Sequence, residues 1–349
     1  MGLNSRTSRF NWEEIFVHPD TKDALRRQGD SLIAPNGDNF PIIDGIPRFV
    51  KEKEGLDTGQ KQVMETFGFK WNRQDWGHEE NSRRFYLNWV RSSFGCETDD
   101  EFFKFFRGGK RILDAGCGSG VIASYLAPAA PDSDFFNVDI SSSIDAAAAY
   151  NAKNPNACFI QADLNRLPFP YGYFDIILSL GVLHHTPDTF GSLKNLVPYM
   201  RPGGKIFLYV YKKKAPIREF TDDYIRQEIS SLEPDEAWKR VEQLTELGRY
   251  LSGLNIELNL PCDLDLLGIK KGKIDLQRFF YWHIVKCFWN DEMGFNYSTH
   301  VNFDWFYPRY AHRHTREEIE DWARRLGLSI VKLADVQSGF YVIAKRGKS

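Results

Sequence analysis

Residues 112–120 read Ile112-Leu113-Asp114-Ala115-Gly116-Cys117-Gly118-Ser119-Gly120, and the fold turns on how this stretch is read. A short apolar run ends in an acidic residue and is followed by glycines at alternate positions. Continuous rather than alternating apolar residues suit a strand buried on both faces. Glycines directly after such a strand permit a tight turn and a close backbone approach to a ligand at the carboxyl edge of a parallel sheet. A dinucleotide fingerprint G-x-G-x-x-G would need its last glycine at 121, where Val121 stands. No Walker lysine follows, so a phosphate loop is disfavoured as well. The order is D-x-G-x-G-x-G, which sets a carboxylate just ahead of the glycines, where it can face a cation rather than a pyrophosphate.

Downstream of this stretch, short apolar runs alternate with helical stretches, as in a parallel sheet built from βαβ units. Strands are expected at 111–115, 135–139, 158–163, 174–180 and 205–210. Asp139 ends the second of these, where a carboxylate can accept hydrogen bonds from both hydroxyls of a ribose. Asp163 ends the third, in reach of an adenine amino group. An aspartate at a strand end is by itself more often a cap or turn residue. Three in register behind a D-x-G-x-G-x-G loop form a site.

Four regions are expected. Residues 1–50, with turn signals at Pro35-Asn36-Gly37 and Ile43-Asp44-Gly45, suggest a small β module. Residues 51–108 are polar and aromatic with helix-like spacing. Residues 109–211 and 315–349 form the α/β core, and residues 212–314 interrupt it. The rhythm resumes at a capping box, Thr315-Arg316-Glu317-Glu318, which starts a helix that Gly327 ends. Two strands follow, at 328–334 and 340–345.

Composition excludes several classes. With 349 residues, 42% hydrophobic and 26% charged, the chain is globular rather than disordered or fibrous. The formal net charge of -2 argues against a protein devoted to gripping phosphate backbones. The basic runs 212–214 and 270–273 read as solvated faces. Cys96, Cys117, Cys158, Cys262 and Cys287 are widely spaced, with no C-x-x-C pair, so neither a disulfide framework nor a metal site is expected. The N-terminus lacks an apolar h-region, and Arg6 spoils a myristoylation motif at Gly2. No run approaches the length of a membrane span. A reduced, cytoplasmic setting is expected.

The motif around Asp114 resembles that of the class I S-adenosylmethionine-dependent methyltransferases. Phe174-Asp175-Ile176-Ile177-Leu178-Ser179-Leu180-Gly181-Val182-Leu183-His184-His185 is similar to that family's fourth-strand motif. Arg201-Pro202-Gly203-Gly204-Lys205 is similar to its turn before strand five. The resemblance covers about a hundred residues in the expected order. It implies an α/β, Rossmann-like sheet of seven strands with an antiparallel last strand, joined here to a helical, aromatic-rich insertion and the small N-terminal β module. It implies S-adenosyl-L-methionine as cofactor, with Asp114, Gly116, Gly118 and Gly120 holding its methionyl part. Asp139 with Ile140 would take the ribose, Asp163 with Leu164 the adenine, and Leu180 the methionyl region through its backbone.

Methyl transfer from a sulfonium asks the protein for positioning, exclusion of water and in some cases a base. His184 and His185, just past strand four, are candidate bases or acceptor-orienting groups, set against a packing role. The insertion corresponds to the place where this family carries its acceptor-recognising lid. Thirteen aromatic residues fall between Phe279 and Tyr310. They are read as a lid core or an apolar acceptor pocket. Asp304, Arg309, Tyr310, His312 and His314 are weighed evenly between pocket lining and lid anchoring, with Asp304, Tyr310 and His312 taken as candidate catalytic groups. His283 and His300 are expected to be structural.

Residues 18–50 resemble a Trm112-type zinc ribbon that has lost its cysteines, with Asn39–Phe49 matching the closing hairpin. Phe67, Phe69, Trp71 and Trp76 belong to a segment expected to fold over the cofactor or dock on the sheet edge. The expectation is methyl transfer to a small molecule, with oxygen favoured over nitrogen or carbon and with no metal. Nucleic acid is an unfavoured partner and the oligomeric state is open. The alternatives are an RNA (tRNA) methyltransferase and a non-catalytic scaffold that binds the cofactor.

Overall fold

The computed structural model describes residues 9–50, 57–72 and 80–348. Gly2, Arg6 and Trp76 lie outside the described residues. A short helix α1 (Trp12–Ile15) precedes four short antiparallel strands: β1 (Arg26–Gln28), β2 (Ser31–Ile33), β3 (Asn39–Ile43) and β4 (Ile46–Pro47). Three helices follow, α2 (Thr58–Asn72), α3 (Glu80–Ser93) and α4 (Asp99–Phe103). The alternating region then runs β5 (Arg111–Ala115), α5 (Val121–Ala129), β6 (Asp134–Asp139), α6 (Ser143–Tyr150), β7 (Ala157–Gln161), β8 (Phe174–Leu180), α7 (Thr189–Leu196) and β9 (Met200–Tyr211).

Next come α8 (Pro216–Ile229), α9 (Pro234–Gly253), β10 (Glu257–Leu260), β11 (Gly272–Asp275), α10 (Leu276–His283) and α11 (Gly294–Phe306). Helix α12 (Arg316–Arg325) and strands β12 (Leu328–Asp335) and β13 (Gly339–Arg346) close the chain. Thr315 and Glu318 complete the anticipated capping box at α12.

The main sheet has seven strands in the order β12-β13-β9-β8-β5-β6-β7. Strands β5 to β9 pair in parallel, and β13 is antiparallel to both β9 and β12. The antiparallel last strand therefore lies inside the sheet, one place from its edge. Along β5, successive residues enter opposite cores. Leu113 joins Phe136, Val138 and Ile177 on one face, and Ile112 joins Phe135, Ile176 and Phe207 on the other. Both are completely buried, which is why the run is apolar without alternation.

The two faces are covered differently. Helices α3 to α6, with α9 and α11, bury the face that holds Ile112. On the Leu113 face, the connection from β7 to β8 contains no helix, and the N-terminal strands fill the space. Phe10 packs edge-on against Phe136 at 5.4 Å, and Phe16 contacts Phe49 at 5.4 Å and Phe169 at 5.5 Å. Backbone bonds add to this cover, with Val17 N–H donating to Pro168 and Phe49 N–H to Gln161 on β7. Lys22 ties the module down further, donating to the carbonyls of Pro19 and Leu167 and to the Tyr199 hydroxyl. Within the module, His18 bonds Asp38 through Nε2 at 2.8 Å and accepts two backbone N–H bonds at Nδ1.

All five cysteines are free thiols. Among the described residues no helix is long and apolar enough to cross a membrane.

Candidate active site

Chain order reverses between β5 and β8, because β6 and β7 build outward on one side and β9 on the other. A crevice opens at such a switch point, outside the carboxyl ends of the strands, and ligands bind there. Here it widens into a cavity of about 560 Å3. Asp114, Asp139 and Leu180 close β5, β6 and β8 beside it. Asp163 stands two residues past β7, which ends at Gln161 rather than at 163 as expected, because the chain turns there on the side chain of Asp163. Oδ1 of Asp163 accepts the backbone N–H of Asn165 at 2.9 Å.

The glycine loop is shaped for close approach. Gly116 has φ 92°, and a Cβ there would meet Val182 at 2.5 Å. Gly118, at φ 52°, lies under the Trp71 ring, which a Cβ would meet at 3.0 Å. Helix α2 thus crosses the loop. Gly120 takes the left-handed conformation that begins α5 and does not line the cavity, so it shapes the loop without reaching the ligand. Asp139 anchors the loop. Its Oδ2 accepts the Gly118 N–H at 2.9 Å, and its Oδ1 accepts the Ser141 N–H at 2.9 Å and hydroxyl at 2.7 Å. Burial still pushes its carboxyl above the ordinary range. Asp114 is more exposed to this effect: Oδ2 is buried without a partner, and burial together with the nearby Asp139 raises its carboxyl to about 7.

The opposite wall is helical. Lys70 of α2, 4% exposed, donates to Asp304 Oδ1 at 2.7 Å and stands 4.1 Å over the Trp71 ring. Tyr211 donates to Asp304 Oδ2 at 3.2 Å. Burial alone would raise the Asp304 carboxyl, but the charge and hydrogen bond of Lys70, with the charge of Lys286 beyond it, outweigh burial and hold the group below the usual carboxylate range. His185 Nδ1 lies 2.6 Å from the Tyr310 carbonyl. A carbonyl only accepts, so Nδ1 carries the proton and Nε2 keeps a lone pair. Nε2 is buried, has no hydrogen-bond partner, and belongs to a residue lining the cavity. Burial lowers this imidazole to about 4, so it stays neutral near pH 7.

Residues 113–208 match the protein family described as "Methyltransferase domain". The chain carries a class I methyltransferase domain. A 27-O-demethylrifamycin SV methyltransferase of Amycolatopsis mediterranei is 36% identical to it over 29% of this chain and 39% of that protein. A ubiquinone biosynthesis O-methyltransferase of Coxiella burnetii is 28% identical over 52% and 77%. A phthiotriol/phenolphthiotriol dimycocerosates methyltransferase of Mycobacterium ulcerans is 26% identical over 45% and 58%. The chain spans between 29% and 59% of the length of the first four curated relatives.

S-adenosylmethionine is the cofactor of this domain class, and the residues present fit it. The unpartnered Asp114 oxygen suits a cationic group, since a positive charge beside it would reverse the unfavourable burial. The spare acceptor capacity of Asp139 and of Asp163 Oδ2 suits hydroxyl and amino donors. Ile140, Leu164 and Leu180 of the methyltransferase domain supply apolar walls.

The expected catalytic residues separate into two groups. His185 and Asp304 reach the cavity, whereas His184, Tyr310 and His312 do not line it. His184 is wholly buried, stacked at 3.7 Å on Tyr211, and its low pKa follows from burial. The tight turn at Leu183–His185 sends the two neighbouring rings different ways. Tyr310 faces outward, donating to Asp57 at 3.1 Å, and His312 stacks on it at 5.9 Å. His314 bonds Thr189 at 3.1 Å and sits near Glu318, so it anchors the insertion to α7 and α12. His300 packs edge-on against Trp238 at 4.8 Å.

Sequence reading missed the cationic wall. Lys214, Arg218, Arg278 and Lys286 all border the cavity. Lys214 stands in the basic run 212–214, expected as a solvated face, yet it turns inward to bond the carbonyls of Gln337 and Ser338 at 2.6 and 2.8 Å. The aromatic run Phe279–Trp282, bracketed by Arg278 and Lys286, was the available signal.

Proposed function

We propose that this chain transfers a methyl group from S-adenosylmethionine to a small-molecule acceptor held between the sheet edge and the insertion. The observation that carries this reading is the single cavity that runs from Asp114, Asp139 and Asp163 to Tyr281, Trp282 and Trp305, with His185 between. The bound cofactor would supply the methyl group from its sulfonium. Asp139 and Asp163 would hold the nucleoside, and Asp114 would face the positive end. Trp71 and Lys70 of α2 would exclude water above the glycine loop. His185 Nε2 would accept a hydrogen bond from the acceptor and orient its lone pair. Its neutrality favours a hydroxyl acceptor, because an O–H can donate to Nε2 while its oxygen attacks. Nitrogen and carbon acceptors remain secondary readings. Free thiols and the small-molecule relatives support a cytoplasmic metabolic setting.

Calorimetric titration with S-adenosylmethionine tests the cofactor half of this reading, and absence of binding rejects it. Labelled methyl incorporation into metabolites, with none into bulk RNA, is the expected outcome for the acceptor half. Incorporation only into RNA rejects a small-molecule acceptor, and binding without any transfer rejects catalysis in favour of a scaffold.

A further inference from the structure

The charges lining the cavity are segregated. At the strand ends the charged groups are Asp114, Asp139 and Asp163, while the insertion contributes Lys214, Arg218, Arg278 and Lys286, and the Lys70–Asp304 ion pair joins the two ends. The carboxylates near those cations are already occupied. Asp304 takes Lys70 and Tyr211. Asp222 is wholly buried and takes the Arg218 guanidinium at 2.7 Å and the Trp305 indole N–H at 2.7 Å.

Lys286 is left over. It is 5% exposed, and its ammonium forms no hydrogen bond or ion pair with a described residue, standing 4.7 Å over the Trp305 ring. The Arg278 guanidinium is likewise without a hydrogen-bonded partner among the described residues and lies 5.7 Å from the Tyr281 ring. Asp304 and Asp222 attract the Lys286 ammonium from nearby, but neither forms an ion pair with it. Removing an ammonium from water without a paired counter-charge is costly, and the natural remedy is an anion arriving with the ligand. Burial accordingly holds Lys286 well below the ordinary lysine range and Lys214 down to about 7, shifts that a bound anion would reverse. Around these cations stand the faces of Trp282, Tyr281 and Trp305, apolar platforms for a flat ligand body.

We propose that the acceptor is an anion: an aromatic or flat apolar body bearing a carboxylate or phosphate, which Lys286 and Arg278 bind inside the aromatic end of the cavity. This rests on the methyl-transfer reading for its meaning, but the anion site can be measured without it. The opposite polarities also match the reaction, since a cationic donor at the carboxylate end would meet a negatively charged partner at the other.

The test is calorimetry of the full chain with 2-naphthoate, 2-naphthyl phosphate and the neutral 2-naphthamide. At least about tenfold tighter binding of one anion than of the amide is expected, the worth of one charge-assisted hydrogen bond. Whichever anion binds tighter identifies the group as carboxylate or phosphate. Lys286→Met should abolish the preference and Lys286→Arg should keep it. S-adenosylmethionine binding, read in parallel, shows that each variant is folded. Equal binding of amide and anions, no binding of any of the three, or a preference that survives Lys286→Met overturns the proposal. An anion preference in a wild-type chain that fails to bind S-adenosylmethionine leaves the anion site standing and removes the methyl-transfer reading instead.

Discussion

The two ends of the cavity are built by different means. At the carboxyl edge of the sheet, the ligand-facing groups come from residues 114–118, 139–140, 163–165 and 180–182, each segment at or just beyond the end of a parallel strand. Backbone geometry places them, and their charged groups are acidic. At the insertion, the ligand-facing groups are side chains from α8, α10 and α11 and the segments between them, beside Tyr209 and Tyr211 of β9, and their unpaired charges are basic. A rigid sheet edge suits a donor that does not vary, whereas helices packed through side chains can change their lining without disturbing the sheet. Lys70–Asp304 joins the halves, linking the helix over the glycine loop to α11.

The largest expected effect lies at the acidic end. Asp139→Ala removes the acceptor for two ribose hydroxyls, and two charge-assisted bonds lost correspond to about 1,000-fold weaker S-adenosylmethionine binding. Unchanged affinity by calorimetry would place the nucleoside elsewhere.

His185 sits between the halves. His185→Gln should lower kcat by about 100-fold, the lower end of the range for a positioned proton acceptor, while cofactor affinity stays within a few-fold. Because burial lowers the imidazole to about 4, the wild-type rate should show no inflection near 6.5 that disappears in the variant. An inflection there, lost with His185, would contradict the neutral, buried environment of this ring.

A pH series sharpens the contrast between the ends. The Asp114 carboxyl sits at about 7, so below that pH it is protonated and offers no charge. S-adenosylmethionine affinity should therefore rise with pH and level off above 7, weakening by up to about tenfold per unit below it. Asp114→Asn should flatten the profile. For the unliganded chain the sign is opposite. A raised folded-state pKa means that this group's stabilising contribution is present below about 4, the unfolded value, and is lost as pH rises through 7. Chemical denaturation at pH 5 and pH 8 reads this directly.

The smallest effect is expected at Trp71. Trp71→Ala uncovers Gly118 and should weaken the cofactor by about fivefold, the scale of one lost aromatic contact. No change would mean that α2 docks on the sheet without sealing the site.

Much of the acidic end could be read from residue order, since a strand end followed by a glycine turn carries its geometry locally. Asp114, Asp139 and Leu180 stand where the pattern puts them, and Asp163 departs only because an Asx-type turn ends β7 early. The second half resisted the same reading. His184 and His185 are neighbours in sequence, yet only the backbone turn and the Tyr211 ring determine that one is sealed in and the other faces the cavity. Tyr310 and His312 looked as suitable as Asp304, but they lie past the end of α11, where the chain runs behind His184 and His185 instead of along the cavity.

From composition and order alone, the chain had to form a parallel α/β sheet with a carboxylate-lined crevice, because strand burial and glycine turns depend on near neighbours. Packing alone decided that the N-terminal strands fill the space left by the helix-free β7–β8 connection, that Lys214 points inward, and that Lys286 is buried over Trp305 without an ion-paired carboxylate among the described residues. These features join residues up to hundreds of positions apart, such as Lys70 and Asp304. Their energetics depend on which groups share a desolvated space, which residue order does not specify.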